Sequence, residues 1–223
     1  MTYNAFKGAT VLITGHTGFK GAWLTAWLKE LGAKVVGIAL NPPTAPSHFD
    51  VAHLADDMTD LRIDIRNHAA LKDAIVSAQP DFVFHLAAQA LVRRSYKDPL
   101  ETWQTNVLGT LHVLEALRKL NKPCAAVIIT SDKCYDNVEW TWGYRENDRL
   151  GGPDPYSASK GAAEIAIRSY VKSYFSNNDN KVQIGIGRAG NVIGGGDWAL
   201  DRIVPDCVKA WSKNEIVQLR NPH

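Results

Sequence analysis

Two short stretches, Thr130-Ser131-Asp132-Lys133 and Tyr156-Ser157-Ala158-Ser159-Lys160, concentrate the side chains with which this sequence could do acid–base chemistry. A phenol is a poor base near neutral pH, because its ordinary pKa is about 10. A lysine four residues along a helix lies on the same face, and its ammonium would stabilise the phenolate. Ser131 could hold a substrate oxygen in line with Tyr156, with Asp132 and Lys133 as an acid and a second amine beside it. Tyr-x-x-x-Lys also recurs by chance in helices as a solvated pair. The reading therefore depends on the elements that position it.

The first of those elements is at the N-terminus. Residues 9–14, Ala-Thr-Val-Leu-Ile-Thr, read as a short buried strand, apolar and β-branched. Gly15-His16-Thr17-Gly18-Phe19-Lys20-Gly21 follows, and then Trp23, Leu24, Trp27, Leu28 and Leu31 at helical spacing. A strand, three glycines and a helix make a dinucleotide-binding turn, here spaced G-x-x-G-x-x-G. The tight turn brings backbone against a pyrophosphate, and the helix N-terminus faces its charge. Lys20 either lies near that phosphate or is an exposed first-turn lysine.

Composition narrows the class. A chain of 223 residues can bury the core of one domain and part of another. The net charge of +2 comes with no long basic run, so no nucleic acid is expected. Cys124, Cys134 and Cys207 are odd in number and lack metal-ligand spacing, which favours a reducing compartment. No apolar signal core follows Met1 and no run approaches the ~20 residues of a membrane span, so a cytoplasmic protein is expected.

Strand and helix patterns then alternate. Further strands are expected at 34–40, 61–63, 81–86, 125–130 and 182–187. Helices are expected at 67–78, 99–120 and from Tyr156 to about Phe175, with a short one from Ser47 to Ala55. Such alternation with apolar strands predicts an α/β fold, a doubly wound parallel sheet of Rossmann-like type. Residues 1–190 would form this dinucleotide-binding domain, and 191–223 the start of a smaller substrate-binding portion.

Ligands of these sheets lie beyond the strand C-termini, so the polar residues there read as one site. Gly15, Thr17, Gly18, Phe19, Lys20 and Gly21 follow strand one, Asn41 strand two, and Asp64-Ile65 strand three. Leu86, Ala87, Ala88 and Gln89 close strand four, and Arg188 strand six. Small residues at 87 and 88 suit either backbone approach to a flat cofactor or packing. Asp64 could accept from an adenine amino group or stand in water; Thr105 could face the cofactor or bond locally. No arginine follows strand two to clasp a 2′-phosphate, which leans toward NAD over NADP, although the usual acidic residue is absent too, with Asn41 in its place. His16 and His85 read as packing residues.

The G-x-x-G-x-x-G turn, His85-Leu86-Ala87-Ala88, Thr105-Asn106-Val107-x-Gly109-Thr110, Tyr156-x-x-x-Lys160 and Arg188-x-x-Asn191-Val192-x-Gly194 resemble the extended short-chain dehydrogenase/reductase superfamily. Thr130-Ser131-Asp132-Lys133-Cys134-Tyr135 and Arg188-Ala189-Gly190-Asn191-Val192-Ile193-Gly194-Gly195-Gly196-Asp197-Trp198 are similar to its sugar-nucleotide 4,6-dehydratases, in the branch acting on CDP-hexoses. The resemblance implies bound NAD, a CDP-hexose substrate and a homodimer or higher homo-oligomer. It implies dehydration of CDP-glucose to CDP-4-dehydro-6-deoxyglucose by internal hydride transfer from C4 to C6.

Carried onto this chain, Tyr156 is the base for the C4 hydroxyl, Lys160 holds phenolate and cofactor ribose, and Ser131 bonds O4. Asp132 is the acid for the departing C6 hydroxyl. Lys133 stands where most such dehydratases carry a glutamate base. It is a base, an electrostatic aid, or a lysine paired to Asp132 or Glu146. Asn191 and Arg202 would meet the substrate diphosphate, although Asp201-Arg202 also reads as a helix start. The chain stops within the substrate-binding portion expected of such a protein, as a fragment would. A 4-epimerase or reductase on the same fold, or dinucleotide binding without turnover, are the competing readings.

Overall fold

The computed structural model describes residues 3–177 and 181–219. Six parallel strands stand in the order β3-β2-β1-β4-β5-β6: β1 Thr10–Thr14, β2 Lys34–Ala39, β3 Thr59–Arg62, β4 Phe82–His85, β5 Cys124–Ile129 and β6 Val182–Gly187. The order reverses between β1 and β4, and that switch point opens the crevice in which such sheets bind ligands. Strand side chains alternate between two apolar layers. Val11 and Ile13 pack with Leu28 of α1 (Phe19–Glu30) and Val35. Leu12, Val83 and Ile128 pack on the other face with Leu71 and Ile75 of α3 (His68–Ala78) and Leu114 and Leu117 of α6 (Gly109–Leu117). Ile167 of α7 (Pro155–Tyr170) joins that second layer. Both faces are covered, as a parallel sheet requires.

Local chemistry sets several helix starts. Asp154 caps α7 by accepting from the Ser157 backbone, with Pro155 at the first helical position. Asp98 and Pro99 do the same for α5 (Pro99–Trp103), whose cap accepts from Glu101. The expected continuous helix 99–120 is α5, a π-helical turn at Gln104–Leu108, and α6, with a separate α4 (Val92–Lys97) before them. A π turn inserts an extra residue without changing the apolar composition, so periodicity does not report it.

Between Ser47 and Ala55 the helix is only α2 (His48–Val51), followed by a 3-10 turn at Leu54–Asp57. β3 begins at Thr59 rather than Leu61, pairing Val36 with Thr59 and Ala39 with Arg62. It is an edge strand with three polar residues of four, so its apolar signal reduces to Leu61. Beyond β6 the chain runs through residues 188–202 into α8 (Ile203–Trp211). Residues 220–223, the end of the expected second portion, lie outside the described residues. No helix among the described residues is long and apolar enough to cross a membrane.

Candidate active site

The glycines of the first turn have different tasks. Gly15 has φ +79°, and a Cβ there would sit 2.7 Å from the Ala87 nitrogen; one on Gly21 would sit 2.1 Å from the Gly15 carbonyl oxygen. Both are required by the protein's own packing. A Cβ on Gly18 would meet only the Gly15 oxygen, at 3.4 Å. Gly18 is also the N-cap of α1 and carries no side-chain cap, so the first N–H groups of that helix are available to an anion. An uncapped helix start with open space beside Gly18 fits a dinucleotide pyrophosphate. The Thr17 hydroxyl donates to the Leu40 carbonyl at 3.0 Å, and Asn41 is exposed just after β2. Asp64 and Ile65 follow β3; Ile65 is buried, and the Asp64 carboxylate is paired with Arg66 at 2.6 Å.

A buried relay joins this turn to α7. The Ala87 N–H donates to the Thr14 hydroxyl at 3.2 Å, and Thr14 lies 2.6 Å from His85 Nδ1. His85 Nε2 lies 3.1 Å from the Thr110 hydroxyl, which donates to the Asn106 carbonyl at 2.8 Å. The direction of that last bond places the His85 proton on Nε2. Burial, then the charge of Lys160, pushes the imidazole down to about 3, so it is neutral. Asn106, in the π turn, bonds both backbone groups of Gln89 and donates to Ser159 of α7 at 2.9 Å. Ser159 in turn donates to the Tyr156 carbonyl at 2.7 Å. Every polar group in the relay is satisfied, which fixes the first turn of α7 against the β4 exit. Thr105, beside Asn106, is half-buried in the same turn.

Ser131, Asp132 and Lys133 form the β5 exit. The Ser131 hydroxyl donates to the Asp132 carboxylate at 3.0 Å and accepts from the Lys133 N–H at 3.2 Å. Ser131 is also within hydrogen-bonding reach of the Tyr156 phenol. Burial raises the phenol above its ordinary value, and Ser131 and Arg202 oppose that rise while Asp132 adds to it. The expected help from Lys160 is not among the leading influences on Tyr156. The Lys160 ammonium is itself pushed down to about 8, by burial and then by Lys20. Lys20, although largely exposed as a residue, brings its ammonium among Lys160, Arg202 and Asp132. Lys133 makes no ion pair with Asp132 or Glu146 among the described residues.

The segment after β6 covers this cluster. The Asp132 N–H donates to the Ala189 carbonyl at 3.1 Å, and Trp23 of α1 donates to the Gly195 carbonyl at 2.9 Å. The Phe19 ring lies against Gly194. Asn191 is exposed in this segment. Arg202 is the N-cap of α8, and its buried Nε has no hydrogen-bond partner, the Asp197 carboxylate being 3.6 Å away. This guanidinium N–H, near Lys20 and Tyr156, keeps a hydrogen-bonding capacity that an anion could use.

Two expected ligand residues have other tasks. The Arg188 guanidinium is committed to Glu164, through Nε at 2.7 Å, and to the Tyr135 hydroxyl at 2.6 Å, with the Tyr135 ring 4.5 Å away. The Gln89 amide donates to Thr102 and the Leu91 carbonyl and accepts from the Leu91 N–H, holding its own loop. Their backbones follow strands and stay at the crevice; their side chains brace it. Glu164 escaped the sequence reading although it lies four residues beyond Lys160 and eight beyond Tyr156, on the same helical face. Among the described residues there is no cluster of metal-ligating side chains.

Comparison with known proteins agrees with this geometry. A CDP-glucose 4,6-dehydratase of Salmonella typhimurium is 52% identical over 224 residues, covering 99% of this chain and 62% of that protein. A dTDP-glucose 4,6-dehydratase of Mycolicibacterium smegmatis is 31% identical over 74% of this chain and 49% of its own length. The chain thus spans half to three-fifths of these relatives. Among solved structures, MoeE5 in complex with UDP-glucose and NAD superposes with a TM-score of 0.73 at 26% identity, over 90% of this chain and 60% of that one. The UDP-glucose 4-epimerase of Thermotoga maritima, 22% identical, shares the fold with a TM-score of 0.82 over 96% of this chain and 66% of that one. The family described as GDP-mannose 4,6 dehydratase matches residues 12–181, and the chain belongs to it.

Proposed function

We propose that this chain is the dinucleotide-binding and catalytic part of a CDP-glucose 4,6-dehydratase, which converts CDP-glucose to CDP-4-dehydro-6-deoxyglucose. The observation that carries the reading is the convergence of Ser131, Asp132, Tyr156, Lys160, Lys20 and Arg202 at the β5 exit. The 52% identity to a dehydratase of that activity supports it. NAD would be held by Gly15, Thr17, Gly18, Phe19, Gly21, Asp64, Ile65, Ala87, Ala88, Thr105 and Lys160. When bound it supplies the acceptor and later the donor of a hydride.

The chain's own residues handle the protons. Tyr156 takes the proton of the C4 hydroxyl while Ser131 holds that oxygen, so a ketone forms at C4. The ketone acidifies the C5 hydrogen, and Lys133, carrying no ion pair, removes it or stabilises the enolate. Asp132 gives a proton to the departing C6 hydroxyl, and water is lost across C5 and C6. Arg202 and Asn191 hold the substrate diphosphate. Tyr96, Leu100, Trp103, Leu108 and Ile165 are exposed on α4, α5, the π turn and α7, a face suited to a second copy of the chain. The buried free thiols of Cys124 and Cys134 suit a reducing cytoplasm.

A 4-epimerase would share Tyr156, Lys160 and Ser131, yet has no use for an acid beside Ser131. The full-length protein, given CDP-, dTDP- and GDP-hexoses in deuterated water, tests the reading. Loss of one water and deuterium at C5 from the CDP substrate are expected. A C4 epimer with C5 unlabelled would replace it with the epimerase.

A further inference from the structure

The chain that leaves β6 does not stay on its own side of the sheet. At the β5 exit the Asp132 N–H donates to the Ala189 carbonyl at 3.1 Å, and a Cβ on Gly190 would meet only the Asp132 carboxylate, at 3.9 Å. Gly194 then lies against the Phe19 ring, and the Gly195 carbonyl accepts from Trp23 Nε1 at 2.9 Å, both on α1. Gly196, at φ +79°, is seated against His48 of α2, and the Trp23 and His48 rings pack at 4.5 Å. Farther on, Asp201 accepts from Arg93 of α4 at 3.0 Å. Only β4 stands between β5 and β1, a distance of about 10 Å in two strand spacings. The four steps from Gly190 to Gly194 reach at most about 14 Å. Residues 190–194 therefore run with little slack over the ends of β4 and β1, the switch point where the crevice opens.

The far end of this crossing is held by the protein's own groups. Trp23 stands more than one turn into α1 from Gly18, beyond the N–H groups that face a pyrophosphate. A Cβ on Gly196 would sit 2.6 Å from that of His48, so only a glycine fits the seat. We propose that residues 190–196 are a gate across the dinucleotide crevice, with Trp23 the positioning residue that latches it and so sets how fast a dinucleotide enters and leaves. The proposal rests on the dinucleotide reading above and deepens it. A hydride taken from C4 and returned to C6 needs the same dinucleotide throughout one turnover, and a latched gate keeps it in place. Because the Trp23–Gly195 hydrogen bond joins two parts of the protein, loosening it speeds entry and exit together. Loss of a direct ligand contact speeds exit alone.

Stopped-flow fluorescence of NADH with the purified chain tests it. Mixing gives the association rate, and chasing the complex with excess NAD gives the dissociation rate. Trp23 is half exposed, so Trp23→Phe leaves the core intact, keeps a ring on α1 and removes the N–H donor. It should raise both rates by about 3- to 10-fold, the worth of one hydrogen bond, while their ratio changes by less than about threefold. Gly196→Ala drives a methyl into His48 and should raise both rates through the other side of the latch. Thermal melts confirm that each variant is folded. Unchanged rates in either folded variant, or faster dissociation with unaltered association, overturn the gate. Failure of the parent chain to bind NADH overturns the dinucleotide reading along with it.

Discussion

Glu164 of α7 and Arg188 at the β6 exit form a bidentate ion pair beside the candidate catalytic cluster, with Glu164 fully buried. The same carboxylate accepts from Thr130 at 2.7 Å, so one buried charge ties β5, β6 and α7 together. Burial alone would raise its pKa. Hydrogen bonds from Arg188, Thr130 and Cys134 outweigh that and hold it below the ordinary carboxylate value.

Removing one partner leaves the other charge buried and uncompensated, which costs about 3–5 kcal/mol. Glu164→Gln should therefore lower the unfolding free energy by that amount, seen as a lower denaturation midpoint with an unchanged m-value. The sign follows from the depressed pKa. The contribution is present above the ordinary glutamate range and is lost as pH falls through the folded value, so the variant and parent should converge in acid. A midpoint unaffected by the substitution at neutral pH would show that the pair is not holding the three elements.

Dinucleotide binding and folding can be separated at two glycines of one turn. Gly18 has ordinary backbone angles and an open Cβ position, so Gly18→Ala should fold with a parent-like melting curve. It should bind NAD at least about tenfold more weakly, because the methyl stands where the pyrophosphate must approach the helix start. Gly21→Ala forces a methyl into the Gly15 carbonyl and should cost about 2 kcal/mol or more in stability. Titration calorimetry and melting of both variants check the contrast, and equal NAD affinity in folded Gly18→Ala would remove the pyrophosphate from this turn.

Most of the sheet was legible because β1, β2, β4 and β5 are largely apolar runs followed by polar or glycine residues, and the candidate site because its side chains fall at the strand ends. What stayed hidden has physical reasons. The π turn at 104–108 is an insertion in hydrogen-bonding pattern, not in composition. Arg188 and Gln89 stand at strand exits, but the Arg188 side chain is engaged by a buried glutamate on another element and the Gln89 amide by Leu91 and Thr102. Lys160 matched the phenolate-stabilising pattern, yet its charge is opposed by burial and Lys20, a distant residue in sequence.

That opposition has a measurable consequence for stability. Lys160 is held at about 8 in the folded chain, against about 10.4 for a lysine in water. Between those values the unfolded state binds the extra proton, so this residue's contribution to stability rises with pH through the window. Below it the buried ammonium costs on the order of 3 kcal/mol. Lys160→Met should therefore be more stable than the parent at pH 7, and the difference should shrink from pH 8 to 10. Denaturant melts across that range measure it; a difference independent of pH would place the lysine's proton elsewhere.

The last prediction concerns how the acid and amine beside Ser131 divide their work in the full-length protein. Tyr156→Phe removes the base for C4 and should slow turnover by about 10²–10⁴-fold. Because the C5 hydrogen becomes acidic only once C4 is a ketone, that variant should also lose deuterium exchange at C5. Asp132→Asn removes the acid for the C6 hydroxyl but leaves the Tyr156–Ser131 pair intact. It should retain C5 exchange from solvent while losing most product. Lys133→Met should lose both if the amine is the C5 base, and should keep partial exchange if it only steadies the enolate charge. Mass spectrometry of recovered substrate and product distinguishes the three variants. Full dehydration with normal C5 labelling in both Asp132→Asn and Lys133→Met would leave Tyr156 as the site's working base and move the elimination chemistry to residues outside this cluster.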